Sequence, residues 1–286
     1  MAKIGVIGGS GLYEIEGIKV KESLKIQTPF GEPSGEYTIG ELQGKEVVFL
    51  PRHDKEHSIS PTDINYRANI YGMKKLGVEW LISISACGSL REELKPQDFV
   101  IPYQFVDRTS QARRHTFFEK GIVAHIGFAH PVCKDLAKAL YESAKYEKIK
   151  AHLGGTYVNM EGPQFSTLAE SNLYRSWGMD IIGMTNMAEA RLAREAEICY
   201  ATLAAVTDYD CWHETEETVS VDVIVDNLKK NVEKAKKILK DIIGCMEEKR
   251  TCDCRNALKF AIITDRKAIS KDTKEKLDII IGKYVK

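Results

Sequence analysis

Apolar residues in this chain fall into two kinds of block, and the kinds alternate. Runs such as "KIGVIGGSGL" (3–12), "EWLISISACGSL" (79–90) and "ATLAAVTDYD" (201–210) are nearly unbroken in their apolar part. Strands covered on both faces read that way. Between them, residues 60–77, 131–148, 168–177 and 220–245 space their apolar residues three and four apart, the period of a helix with one buried face. In the last block Val221, Ile224, Val225, Leu228, Val232, Ala235, Ile238 and Leu239 share that face. The stretch "GEYTIGELQGKEVVFLPRH" (35–53) reads as two strands turning at Gln43-Gly44, a hairpin signal. Strands alternating with helices predict an α/β fold: a single domain with a central, largely parallel or mixed twisted sheet flanked by helices. With no repeat or linker visible, residues 1–286 are expected to form one domain, residues 245–286 packing on it as an extension.

Composition narrows the setting. Of 286 residues, 43% are hydrophobic and 29% charged, enough apolar material for one substantial core. Lys and Arg together number 41, as do Asp and Glu, so no net field draws the chain to nucleic acid or to an anionic membrane. No run approaches the roughly 18 to 20 apolar residues of a membrane span, and "MAKIGVIGG" is too short for a secretory signal. A cytoplasmic protein is expected. Lys- and Glu-rich stretches such as 227–250 agree with a thermophilic source.

The seven cysteines, at 87, 133, 199, 211, 245, 252 and 254, lack zinc-finger pairing. Cys252-x-Cys254 has the wrong gap for a Cys-x-x-Cys metal or redox site. They read as buried single thiols, with structural disulfides as the other reading, and no metal is expected.

In sheets of this class ligands bind beyond the carboxyl ends of the strands. The polar residues expected there include Ser10, Arg52, His53, Ser85, the backbone N–H near Ala86, and Thr185, all donors suited to phosphate. Gly8, Gly9 and Gly11 let backbone approach an anion. The turn matches neither G-x-G-x-x-G nor a P-loop, so a nicotinamide cofactor is not implied.

Asp208 and Asp210 close the last apolar run. Acids two apart on an extended chain face the same side, and two like charges there are costly unless something binds them. Adenine offers N7 as acceptor and its 6-amino group as donor along one edge. One protonated and one ionised carboxyl match that edge. An Asp turn or helix cap, or a metal pair, are the other readings; no further ligand stands near for a metal.

Taken together, "IGVIGGSGL", "LPRHDKEHSISPTDINYRANIYGMK", "SACGSLREELKPQDFVIPYQFVDRT", "EGPQFSTLAES" and "VTDYDCWHETEETVSVD" resemble the 5′-methylthioadenosine phosphorylases, within the purine nucleoside phosphorylases. The resemblance covers residues 3–240. It implies a nucleoside phosphorylase-like sheet, a homotrimer or homohexamer, and phosphorolysis of an N-glycosidic bond with inorganic phosphate as co-substrate and no cofactor or metal. Phosphate would be held by Ser10, Arg52, His53, Ser85, Ala86 and Thr185. The purine would lie against Phe165 and bond to Asp208 and Asp210, with Met184 under the ribose. Val221 and Ile224 would line an apolar pocket for the 5′ substituent. His125, with His130 as the other candidate, would reach a neighbouring subunit's site. Asp208 is expected to be the acid that protonates N7, its pKa raised by burial and by Asp210. An ionised Asp210 would reject 6-oxopurines. A broad purine nucleoside phosphorylase acting on adenosine, inosine or guanosine is the alternative.

Overall fold

The apolar runs form the middle of one mixed sheet. The computed structural model describes residues 3–9, 12, 14–110, 113–213, 221–247 and 249–285, with residues 221–224 as backbone only. Among them the strands are β1 (Lys3–Gly8), β2 (Lys19–Leu24), β3 (Tyr37–Leu42), β4 (Lys45–Pro51), β5 (Val78–Ser89), β6 (Phe99–Ile101), β7 (Gln104–Arg108), β8 (Ala151–Leu153), β9 (Thr156–Met160), β10 (Ile181–Gly183) and β11 (Cys199–Asp208). The helices are α1 (Tyr66–Lys75), α2 (Lys134–Tyr146), α3 (Leu168–Ser176), α4 (Asn186–Glu195), α5 (Val221–Cys245), α6 (Lys271–Lys276) and α7 (Asp278–Ile281).

Strand order is β2-β3-β4-β1-β5-β10-β9-β7, with β11 on β5, β6 on β11 and β8 on β6. The twelve-residue β5 organises it. Its first half runs parallel to β1 as far as the Ile7–Ser83 pair. There β1 stops, and the far end of β5, Gly88 and Ser89, pairs antiparallel with β10. Along its other edge β5 keeps β11 throughout, to the Asp208–Gly88 pair. The sheet therefore opens beside residues 84–87, a switch of partner of the kind that creates ligand crevices.

Each sheet face carries its own core. On one side α1 and α4 pack with Ile7, Val48, Leu50 and Leu81, joined by Leu258, Ala261, Ile269, Leu277, Ile280 and Ile281 from beyond α5. On the other, α2 and α5 bury Leu136, Leu140, Ile238 and Ile242 against Trp80, Ile82 and Leu203. The hairpin turns at Gln43 (φ 53°) and Gly44 (φ 73°), both left-handed, as a two-residue turn between twisted strands demands. Helix α1 begins later than its spacing suggested, because Asn65 caps the Ala68 N–H. Strand β2, "KVKESL", lacked a readable period because it is an exposed edge, kept from further pairing by its charges. Among the described residues no helix is long and apolar enough to cross a membrane.

Two buried features go beyond what the sequence shows. The cysteines are not all separate thiols: the sulfurs of Cys133, Cys199, Cys252 and Cys254 all lie within 4.8 Å of one another. Three distant chain segments supply them, so spacing within any one segment could not reveal the set. The second feature is Glu195, buried at the end of α4, where it accepts hydrogen bonds from Thr116 Oγ1 (2.7 Å) and the Phe117 N–H (2.7 Å). Burial raises its carboxyl from 4.5 to about 7. The folded state thus holds this proton more tightly than the unfolded chain. The stability it contributes, about 3 kcal/mol, is present below pH 4.5 and lost as pH rises through 7. Glu195→Gln mimics the neutral acid. The difference in unfolding free energy between wild type and variant, measured by urea titration, should shift by about that amount across this window.

Candidate active site

Several strand ends meet where β5 changes partner. Arg52, immediately after β4, is tied there by its own N–H to the Gly8 carbonyl (2.9 Å). Its side chain is 3% exposed and fills the opening in the sheet. Nη1 donates to the Ile84 carbonyl (2.9 Å), which β1 has left behind, and Nη2 to the Ile7 carbonyl (3.3 Å) and Ser83 Oγ (2.6 Å). Nε donates to Glu189 Oε1 (2.5 Å). Glu189, from α4, also accepts from Ser83 Oγ (2.6 Å) and the Tyr200 hydroxyl (3.0 Å) on Oε2. Expected as a full phosphate donor, Arg52 spends most of its N–H groups on the fold. It has the second N–H of Nη1 left for an anion.

Other donors remain open to a ligand. Ser85 Oγ is buried with no hydrogen-bond partner, and Ala86 is exposed in the midst of a buried strand. Thr185 is the N-cap of α4 but does not cap it; its hydroxyl makes only a 3.5 Å contact with Asn186 Oδ1. The α4 N-terminus thus presents backbone donors and a free-turning hydroxyl together, an arrangement suited to an anion. Asn159 sets this turn, donating to the Met184 carbonyl (3.0 Å) and accepting from the Met187 N–H (2.9 Å). Gly183 lets β10 come this close: a Cβ there would lie 1.8 Å from the Tyr157 hydroxyl and 3.4 Å from the Ala86 carbonyl.

His53 differs from expectation. Burial, then the charge of Arg52, lowers its pKa to about 4, so it is neutral at ordinary pH. Its Nδ1 lies 2.8 Å from the Ile59 carbonyl and must be the protonated nitrogen. Nε2 is left as an acceptor, not a donor, suited to the P–OH of hydrogenphosphate. Ser10 lies outside the described residues.

At the far end of β5 the two aspartates converge, though not by strand alternation. Asp208 ends β11, and Asp210 turns back with φ 54°, donating its N–H to Asp208 Oδ1 (2.8 Å). Asp tolerates that backbone conformation. Thr207 Oγ1 donates to Asp208 Oδ2 (2.6 Å). Both oxygens of Asp208 thus accept hydrogen bonds. Asp210 is the carboxyl whose pKa burial raises, against the pull of Ser171, the Cys211 N–H and Ser166. Its Oδ2 is buried without a partner. Where the sequence suggests a raised pKa at Asp208, the geometry adds a raised carboxyl at its neighbour Asp210. Gly88 makes room for both, since a Cβ there would meet Asp208 Oδ1 at 3.1 Å and Asp210 Cβ at 3.3 Å.

Phe165 is 61% exposed in the loop following the cis Gly162–Pro163 bond, a large aromatic with no core to pack in. Met184 packs on Gly162, whose Cβ would sit 2.4 Å from its sulfur. Arg113 holds this corner, donating to Glu161 Oε1 (2.8 Å) and to the Met184 carbonyl. Val221 and Ile224 fall in the first turn of α5, where side chains lie outside the described residues. His125 and His130 are both exposed. The His125 N–H donates to the Ala261 carbonyl (2.8 Å), and the His130 carbonyl accepts from Arg194.

Glu189, Asn159, Arg113 and Gly88 escaped the sequence reading. Glu189 left a trace: it lies three residues after Asn186 and four before Ala193, on the buried stripe of α4. Among the described residues, the one group of three or more His, Cys, Asp or Glu side chains gathered around a common point is the cysteine set, away from this crevice.

Residues 3–244 match the family model of the phosphorylase superfamily. The chain is 58% identical over 282 residues to an S-methyl-5′-thioadenosine phosphorylase of Geobacter sulfurreducens, covering 99% of each chain. It is 56% identical to one from Koribacter versatilis, over 99% of this chain and 97% of that one. The chain belongs to the S-methyl-5′-thioadenosine phosphorylases. Solved phosphorylases of this family share its fold. A methylthioadenosine phosphorylase from an antarctic soil metagenomic library superposes with a TM-score of 0.93 at 48% identity, covering 98% of both chains. A mutant adenosine/methylthioadenosine phosphorylase of Schistosoma mansoni in complex with methylthioadenosine gives 0.84 at 34% identity, over 91% of this chain and 96% of that one. The phosphorylase superfamily match stops at the end of α5, so the segment carrying Cys252 and Cys254 lies beyond it.

Proposed function

We infer that this chain cleaves 5′-methylthioadenosine with inorganic phosphate, giving adenine and 5-methylthioribose 1-phosphate. The observation that carries the reading is the crevice on β5. Anion donors at Ser85, Ala86 and Thr185 stand at one end of the strand segment, and two buried carboxyls, Asp208 and Asp210, at the other.

Breaking the glycosidic bond builds positive charge on the ribose and negative charge on the purine. Phosphate below the sugar stabilises that cation and then attacks C1′, so positioning and electrostatics do most of the work. Asp210, whose pKa burial raises, faces N7 and supplies the proton that makes adenine a neutral leaving group. Asp208, bonded by Thr207 and the Asp210 N–H, accepts from the 6-amino group. Phe165 lies against the base and Met184 under the ribose, where a thioether packs without competing for water. Val221 and Ile224 supply the apolar 5′ pocket. The active unit is a homotrimer or homohexamer in the cytoplasm, with His125 completing a neighbour's pocket. Proton and charge are both provided for by the carboxyl pair and phosphate, so the chemistry asks for no cofactor.

The test is adenine release from methylthioadenosine with and without phosphate, with adenosine and inosine alongside. Release that depends on phosphate, fastest from methylthioadenosine and nearly absent from inosine, is expected. Release without phosphate makes the protein a hydrolase and removes the phosphate site. Rapid inosine cleavage keeps the fold and mechanism but overturns the base-edge reading.

A further inference from the structure

The four converging cysteines lie outside the crevice and have no part in the chemistry above. Cys133 is the N-cap of α2, Cys199 the first residue of β11, and Cys252 and Cys254 sit in the turn that follows α5. Cys199 and Asp208 occupy opposite ends of one ten-residue strand, so the cluster lies about 30 Å from the carboxyl pair at the usual rise per residue.

We propose that Cys133, Cys199, Cys252 and Cys254 are the four ligands of a structural zinc ion. The first argument is geometric. A tetrahedral zinc with Zn–S bonds of about 2.3 Å holds its sulfurs about 3.8 Å apart. Here all four sulfurs lie within 4.8 Å of one another, as a single set and not as two remote pairs. The Cys199 and Cys252 sulfurs approach to 3.2 Å. That is well beyond the roughly 2.05 Å of a disulfide and close enough that a small spreading admits the ion.

The second argument is the ligand type. Four thiolates form a soft set that selects zinc over magnesium or calcium, and a closed set of four is the mark of a structural site. Binding is not a redox step: Zn²⁺ displaces four thiol protons, forming four Zn–S bonds and releasing four H⁺ to solvent.

The third is the surroundings. Cys133, Cys199 and Cys254 are buried and Cys252 partly so, all within the apolar cluster of Trp80, Leu136, Leu140 and Ile242. An ion there would be shielded from water. Cys133 sits at the N-terminus of a 13-residue helix and makes no side-chain capping bond there. The ion would join α2, β11 and the chain beyond α5, fastening to the sheet the C-terminal segment that completes the first core.

The test begins with the wild-type chain, reduced and stripped of metal under anaerobic conditions, then titrated with zinc in competition with a chromophoric chelator. One zinc per chain is expected, at sub-micromolar affinity or tighter. Cobalt in its place should give a near-ultraviolet thiolate charge-transfer band and the intense visible bands of a tetrahedral ion. Cys252→Ser and Cys133→Ser should each weaken zinc binding at least tenfold and lower the unfolding temperature, with turnover at saturating substrates unchanged at 25 °C. Failure of the reduced wild-type chain to bind zinc more tightly than micromolar overturns the site. So does protein isolated from cells without metal and with the four sulfurs oxidised as two disulfides, read by mass spectrometry after non-reducing alkylation.

Discussion

Asp210→Asn is expected to lower turnover of methylthioadenosine by about 10² to 10⁴-fold, the usual worth of general acid catalysis. An amide at this position can still donate a hydrogen bond to N7, so KM should move little, but it cannot deliver a proton. The loss then belongs to kcat. Wild-type kcat should fall as pH rises through the raised pKa of Asp210, since only its neutral form acts, and that limb should vanish in the variant. Asp208→Asn is expected to behave differently. An amide can present a donor where the 6-amino group needs an acceptor, so the preference for adenosine over inosine should narrow. The reverse pattern, with Asp208→Asn abolishing turnover and Asp210→Asn merely relaxing specificity, would return the acid to Asp208. Steady-state kinetics of both variants on adenosine, inosine and methylthioadenosine decide the matter.

Glu189→Gln should destabilise the protein by about 3 to 5 kcal/mol, the cost of leaving a buried charge without its partner. Arg52 and Glu189 are 2% and 1% exposed. The pair can be replaced together: Arg52→Met with Glu189→Leu should regain most of the loss, because desolvating two charges is itself expensive. That double variant should nonetheless bind phosphate poorly, since the Nη1 donor is gone. Urea unfolding reads the first effect, and KM for phosphate the second. Recovery of both stability and phosphate affinity in the double variant would show Arg52 to be scaffold alone.

How much of this was legible in the sequence depends on whether the signal was local. The hairpin at Gln43-Gly44, the helix expected over residues 168–177 and the buried β5 are legible, because each is set by residues within a few positions of one another. The strand-end site was also legible in outline, since polar residues at the end of an apolar run have few structural uses. What could not be read was pairing across the fold. Arg52 looked like a free donor because Glu189 is 137 positions away. His53 looked like a donor because the Ile59 carbonyl that fixes its tautomer shows only in three dimensions. The aspartates were correctly grouped for the wrong reason: a left-handed turn at Asp210, not strand alternation, brings them together. The gap between Cys252 and Cys254 cannot reveal the cysteine set, because its other two members come from the start of α2 and of β11.

The partner switch of β5 has a mechanical consequence. Ser85, at the end where phosphate is proposed to bind, and Gly88, packed against Asp208 and Asp210, are three residues apart on one continuous strand, about 10 Å at the usual rise. The span between the two ends of the reaction is fixed by covalent bonds and not by how two bodies happen to dock. A phosphorylase so constructed needs no hinge closure to bring its halves into register. Warming should therefore change how fast substrates enter and leave well before it alters the spacing of the two ends of the site.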